Sequence, residues 1–98
     1  MSQDKDTDVR QIINAVADGW NEFDGLPPYS AEYERDKFAL SIQKTNCYEI
    51  SLHHPSGEDT GMDGYAKTNV LDQSACDTVK EAKKVVENYS NNPNEYLG

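Results

Sequence analysis

The sequence predicts a small two-layer α+β sandwich: an N-terminal helix, an antiparallel β-hairpin or three-stranded sheet, and a C-terminal helix. Three patterns carry this. Apolar residues recur at helical spacing near the start, they alternate with period two in the middle, and they return to helical spacing near the end.

Residues 1–8 are polar and are expected to fray, with periodicity beginning at Val9. Val9, Ile12, Ile13, Val16 and Trp20 then form one stripe, with Ala17 beside it, and this predicts a helix over Thr7 to Asn21. Asp6 or Thr7 can cap its start, Asp8 suits the positive end of its dipole, and Gly19 or Gly25 can end it. Trp20 lies on the stripe and is read as core. From Asp24 to Ser30 two prolines remove amide donors and favour extended geometry, which makes this stretch a connector.

Phe38, Leu40 and Ile42 alternate with Ala39, Ser41 and Gln43. Beyond Lys44-Thr45-Asn46, the residues Tyr48, Ile50 and Leu52 alternate with Cys47, Glu49 and Ser51, so the two runs read as an antiparallel hairpin with one apolar face. The stretch from His54 to Gly64, rich in glycine and acids, reads as a long loop, and Tyr65 to Leu71 as a short third strand. Ser74 is the expected N-cap of a second helix. Ala75, Val79, Ala82, Val85, Val86 and Tyr89 form its stripe, which reaches Asn88, and residues 91–98 are left as a tail.

The 98 residues allow one domain. Leu, Ile, Val and Phe together number 17 of 98, below the roughly 20% under which a highly charged chain is suspected of disorder, so a folded core must be small. Eighteen acids against nine bases give a formal charge of −9. Such a surface repels phosphate backbones and anionic lipid, which argues against direct nucleic-acid or membrane binding. The acidic N-terminus lacks the features of a signal peptide, no apolar run approaches a membrane span, and a cytoplasmic location is expected. Cys47 and Cys76 are then expected as reduced thiols.

No catalytic motif is present, and the expectation is a protein that is not an enzyme and uses no cofactor. His53 and His54 with Glu58, Asp59 and Asp63 offer metal-ligating chemistry, but adjacent histidines leaving a strand point to opposite faces. The run Asp59 to Gly64 has two features of a calcium loop and lacks the rest: Gly61 stands at the third ligand position and Val70 at the twelfth. No metal is therefore expected. Cys47 and His53 are about 20 Å apart along an extended strand and cannot form a nucleophile–base pair.

The acids are unevenly placed. Residues 1–36 carry a net −6 and residues 45–79 a net −5, whereas residues 37–44 are net +2 and residues 80–98 balance. Asp18, Glu22, Asp24, Glu32, Glu34 and Asp36, interleaved with Trp20, Phe23, Tyr29 and Tyr33, form the first expected partner-binding patch, and Glu58, Asp59 and Asp63 the second. Aromatic anchors would supply contact energy and carboxylates steering. The expected function is a small acidic inhibitor of a basic, nucleic-acid-binding host protein complex, in the manner of phage-encoded anti-restriction or anti-CRISPR proteins that place carboxylates where DNA phosphates would lie. Three other readings share this composition: an immunity protein neutralising a nuclease toxin, a ligand- or metal-binding module using the 54–64 loop, and an accessory subunit that completes an oligomer, including a homodimer.

Overall fold

A computed structural model describes residues 5–23, 25–54 and 69–96. Among these, the α+β class holds, with two α-helices and a five-stranded antiparallel sheet. The chain runs α1 (Thr7–Ile13), β1 (Asn21–Glu22), β2 (Ser30–Arg35), β3 (Phe38–Lys44), β4 (Tyr48–His54), β5 (Asn69–Cys76), α2 (Val79–Asn91) and a 3₁₀ turn (Pro93–Tyr96). The strands lie in the order β1-β2-β3-β4-β5, a meander in which each strand pairs with its neighbours in sequence. Both helices cover one face and pack against each other.

Alternation builds that covered face. Ala31 and Tyr33 of β2, Phe38, Leu40 and Ile42 of β3, Ile50 and Leu52 of β4 and Cys76 of β5 are buried on it. Val9 and Ile12 of α1 meet them, as do Ala82, Val86 and Tyr89 of α2. Each fully buried Leu or Ile stabilises such a core by roughly 1.5–3 kcal/mol.

The sheet has five strands where the sequence predicts two or three, and both extra strands have a physical reason. In β2 only Ala31 and Tyr33 mark the period, because Ser30, Glu32 and Glu34 between them face away from the helices. In β1 only Asn21 and Glu22 pair, and the first of them falls at the end of the predicted span of the first helix. That helix stops at Ile13 rather than Asn21. The Ala15 and Val16 amides donate to the Ile12 and Ile13 carbonyls at 3.0 and 2.9 Å, a tightening into three-residue turns. Gly19 then takes φ +99°, a conformation open to glycine, and redirects the chain into β1.

The second helix also starts later than predicted. Ser74 and Ala75 belong to β5, and the N-cap is Thr78, whose hydroxyl accepts the Glu81 N–H at 3.2 Å. The predicted third strand overlaps β5 only from Asn69, and residues 65–68 lie outside the described residues. Where Leu52 pairs with Asp72 and His53 with Val70, Leu71 is left as the extra residue of a β-bulge. The polar inner residues of β5 are satisfied from above: the Tyr89 hydroxyl donates to Asp72 Oδ2 at 2.8 Å, and Ser74 Oγ donates to the phenol oxygen at 3.1 Å.

Of the segment expected to fray, residues 5, 6 and 8 make specific contacts. The Asp8 N–H donates to Asp6 Oδ1 at 2.9 Å, capping α1, and Lys44 Nζ lies 3.1 Å from Asp6 and 3.3 Å from Asp8. Tyr48 donates its hydroxyl proton to Asp8 at 2.8 Å, and Lys5 Nζ donates to the Ser30 carbonyl at 2.6 Å. At the other end, Pro93 is buried and Tyr96 meets the Tyr89 ring edge-on, with centroids 5.0 Å apart.

Candidate interaction surface

Residues opposite each other on neighbouring strands point to the same side of a sheet, so the register defines the face that no helix covers. One row across it is Glu32, Ser41, Ser51 and Gln73; the next is Glu34, Ala39, His53 and Val70; a third is Ser30, Gln43, Glu49 and Ala75. Asn21 of β1 joins beside Glu34. Glu32, Glu34 and Glu49 are acidic, and among the described residues of these rows there is no lysine or arginine. The alternation that puts Tyr33 in the core also puts its two glutamate neighbours on this face, about 7 Å apart along the strand.

Phe23 completes the β1 side. Its N–H donates to the Glu32 carbonyl at 2.9 Å, which extends the β1–β2 ladder by one residue and sets Phe23 opposite Glu32. The ring is 43% exposed. A shallow depression of about 280 Å³ lies toward the middle of the face, lined by Glu32, Ala39, Leu40, Ser41 and His53. There the Ser51 hydroxyl and His53 Nε2 are 2.9 Å apart. Burial lowers the His53 pKa below its ordinary value, and the Glu32 carboxylate opposes that shift by favouring the imidazolium.

The residues of the first predicted patch separate. Glu32 and Glu34 come together on the open face, while Glu22 pairs with Tyr33 and its charge helps raise the Tyr33 pKa. Asp36 is exposed in the β2–β3 turn with φ +54°, and Asp18 is exposed in the turn before Gly19. Asp24 and the whole second patch, Glu58, Asp59 and Asp63, lie outside the described residues. Glu49 is absent from the predicted patch although its place in the period-two row of β4 marks it for the open face.

Two of the four predicted aromatic anchors are withdrawn from the surface. Tyr33 is only 6% exposed, and Trp20 packs against the core with its indole N–H donating to the Ser90 carbonyl at 3.0 Å. Phe23 and Tyr29 remain exposed.

The adjacent histidines divide as their alternation requires: His53 is on the open face, and His54 is tilted against Phe38 with ring centroids 4.7 Å apart. Among the described residues, no group of three or more His, Cys, Asp or Glu side chains is placed to hold a metal ion, and no helix is long and apolar enough to cross a membrane. Cys47 and Cys76 are both free thiols, and burial pushes the Cys76 thiol pKa up. No protein-family model, curated protein or solved structure matches the chain.

Proposed function

We propose that the protein is a small non-enzymatic inhibitor that docks its open sheet face on a basic surface of a partner protein, with a nucleic-acid-binding host complex as the target class. The observation that carries this reading is the pairing of Glu32 and Glu34 beside exposed Phe23 on a face whose described residues include no lysine or arginine. Carboxylates there compete with phosphates for the same Lys and Arg side chains, and the aromatic ring adds contact area that phosphates lack. The net charge of −9 adds long-range attraction to a basic target. A rigid sheet holds the carboxylates at fixed spacing, so little ordering entropy is lost on docking. The biological setting that such chemistry fits is a phage-encoded antagonist of host restriction or CRISPR defence, acting in the host cytoplasm.

The test is capture of the target by tagged protein from host lysate at about 150 mM salt, with the double substitution Glu32→Lys and Glu34→Lys in parallel. The expected result is a basic nucleic-acid-binding complex that is released by added DNA or by several-fold higher salt and is not retained by the double variant. Retention by the variant equal to that of the wild type would overturn the assignment to this face.

A further inference from the structure

One face of α2 carries a charge pattern opposite to that of the sheet, although the helix as a whole also holds Glu81 and Glu87. Lys80, Lys83 and Lys84 stand at i, i+3 and i+4 of α2, a spacing that places their Cβ atoms about 5–6 Å apart on one helix face. They border a groove of about 660 Å³ between α2 and α1, within the size range of small-molecule sites. Gln11 and Asn14 of the α1 side offer amide donors across from the lysines, while Ala15 and Val79 supply apolar surface. Glu87 is the one acid in the lining.

The lysines are not committed elsewhere. Lys44 is held by Asp6 and Asp8, and Lys5 donates to backbone carbonyls, but the side chains of Lys80, Lys83 and Lys84 make no hydrogen bond or ion pair with any described residue. Glu87, one turn from Lys83, is not within ion-pair distance of it and instead provides a backbone carbonyl to Asn91.

We infer that this groove is a binding site for a small oligophosphate, inorganic or esterified. Three ammonium groups within one helical turn match the compact charge of a di- or triphosphate, and Lys is a point-charge phosphate binder that needs no bidentate geometry. An acidic peptide suits the groove less well, because same-side carboxylates on an extended chain are about 7 Å apart and would not bring three charges over one turn.

A long nucleic acid is disfavoured for a different reason. It would run beyond the lysines onto the acids that dominate the rest of the surface, whereas a small anion responds to the charges within about 8 Å, the Debye length at physiological ionic strength. A helix is itself about 10 Å across, so the glutamates of the open face lie beyond that range.

The experiment is titration of the full chain with pyrophosphate, and separately with adenosine triphosphate, followed by amide chemical shifts and calorimetry at about 150 mM salt. Saturable shifts centred on residues 11–15 and 79–87 are expected, weakened at least tenfold by Lys83→Gln combined with Lys84→Gln and unchanged by Glu32→Lys. These lysines are exposed, and circular dichroism checks that the variant keeps its fold. Tighter binding of the nucleotide than of pyrophosphate would assign the apolar surface to the organic part of a phosphate ester; equal binding would assign the site to the phosphate chain alone. Shifts spread over all surface lysines without saturation, or saturation unaffected by the double variant, would overturn the site.

Discussion

The Ser90 hydroxyl accepts the Ala17 N–H at 2.9 Å across 73 residues of chain, fastening the turn after α1 to the last helical turn of α2. Ser90 is fully buried, and the Trp20 indole reaches its carbonyl, so side chain and backbone of one residue both receive donors from the segment that leaves α1.

Ser90→Ala leaves the Ala17 amide without its acceptor while sparing the Trp20 bond. A fully buried donor left unpaired costs about 1–3 kcal/mol, and this bond is partly buried, so the stability lost, read from the urea midpoint, is expected at the lower end of that range with native tryptophan fluorescence little changed. An unchanged midpoint would show that the bond is replaced by water at no cost.

Alkaline pH should loosen the fold through two buried phenols. Burial pushes the pKa of Tyr33 up to about 12, with the Glu22 charge adding to it, and burial does the same for Tyr89, also to about 12. The unfolded chain releases these protons near pH 10, so between roughly pH 10 and 12 the folded state binds more protons than the unfolded state. Their contribution to stability is complete below pH ~10 and declines as pH rises towards the folded value. Urea midpoints from pH 8 to 12 should show this decline, and Tyr33→Phe should make it shallower. An equally steep decline in the variant would remove Tyr33 from the account.

The start of α2 offers a discriminating pair of substitutions. Thr78→Ala removes the acceptor for the Glu81 N–H and should cost about 1 kcal/mol, with faster amide exchange in the first turn. Ser74→Ala removes a contact to the Tyr89 hydroxyl inside the sheet–helix layer and should leave that exchange unaltered. The opposite pattern would move the cap back to Ser74.

Acid acts on the Asp6–Lys44 contact. The hydrogen bond from Lys44 holds the Asp6 carboxyl below its ordinary pKa against the opposing effect of burial, and the amides of Asp8 and Val9 assist. A depressed folded value means that the contribution is present above the unfolded carboxylate pKa and is lost as pH falls through the folded one. Lys44→Gln should therefore raise the Asp6 pKa, read from its side-chain carbon shift during an NMR titration. The global stability change should be small, because both side chains are about a third exposed.

These particulars show where the fold was legible in the sequence. Phe38 to Lys44 and Tyr48 to His54 declare their strands because Phe38, Leu40 and Ile42 in one and Ile50 and Leu52 in the other are apolar, buried and two residues apart. In β5 the positions on the helix-covered face are Asp72, Ser74 and Cys76, of which only Cys76 is buried, and Asp72 and Ser74 are held there by the Tyr89 hydroxyl, a partner that local periodicity cannot reveal. The early helix ends short for a similar reason. Val16 and Trp20 keep the spacing of the stripe and still pack on the core, but they reach it through turns fastened to Ser90 rather than through continued helix. The open face was half legible: Glu32 and Glu34 stood out by charge, whereas placing Glu49 and removing Tyr33 required the register.

The meander has a further consequence for how the molecule assembles. Among the described residues all four strand pairings join neighbours in sequence, so most can zip through short loop closures, whereas the two helices come from opposite ends of the chain and their contact is expected to form last. Interactions made after the rate-limiting barrier affect unfolding more than folding. Stopped-flow measurements on Ser90→Ala should therefore show a folding limb that overlays the wild type and an unfolding limb displaced to faster rates, so that the lifetime of the native state, rather than the speed of reaching it, is governed by the clasp between the two ends.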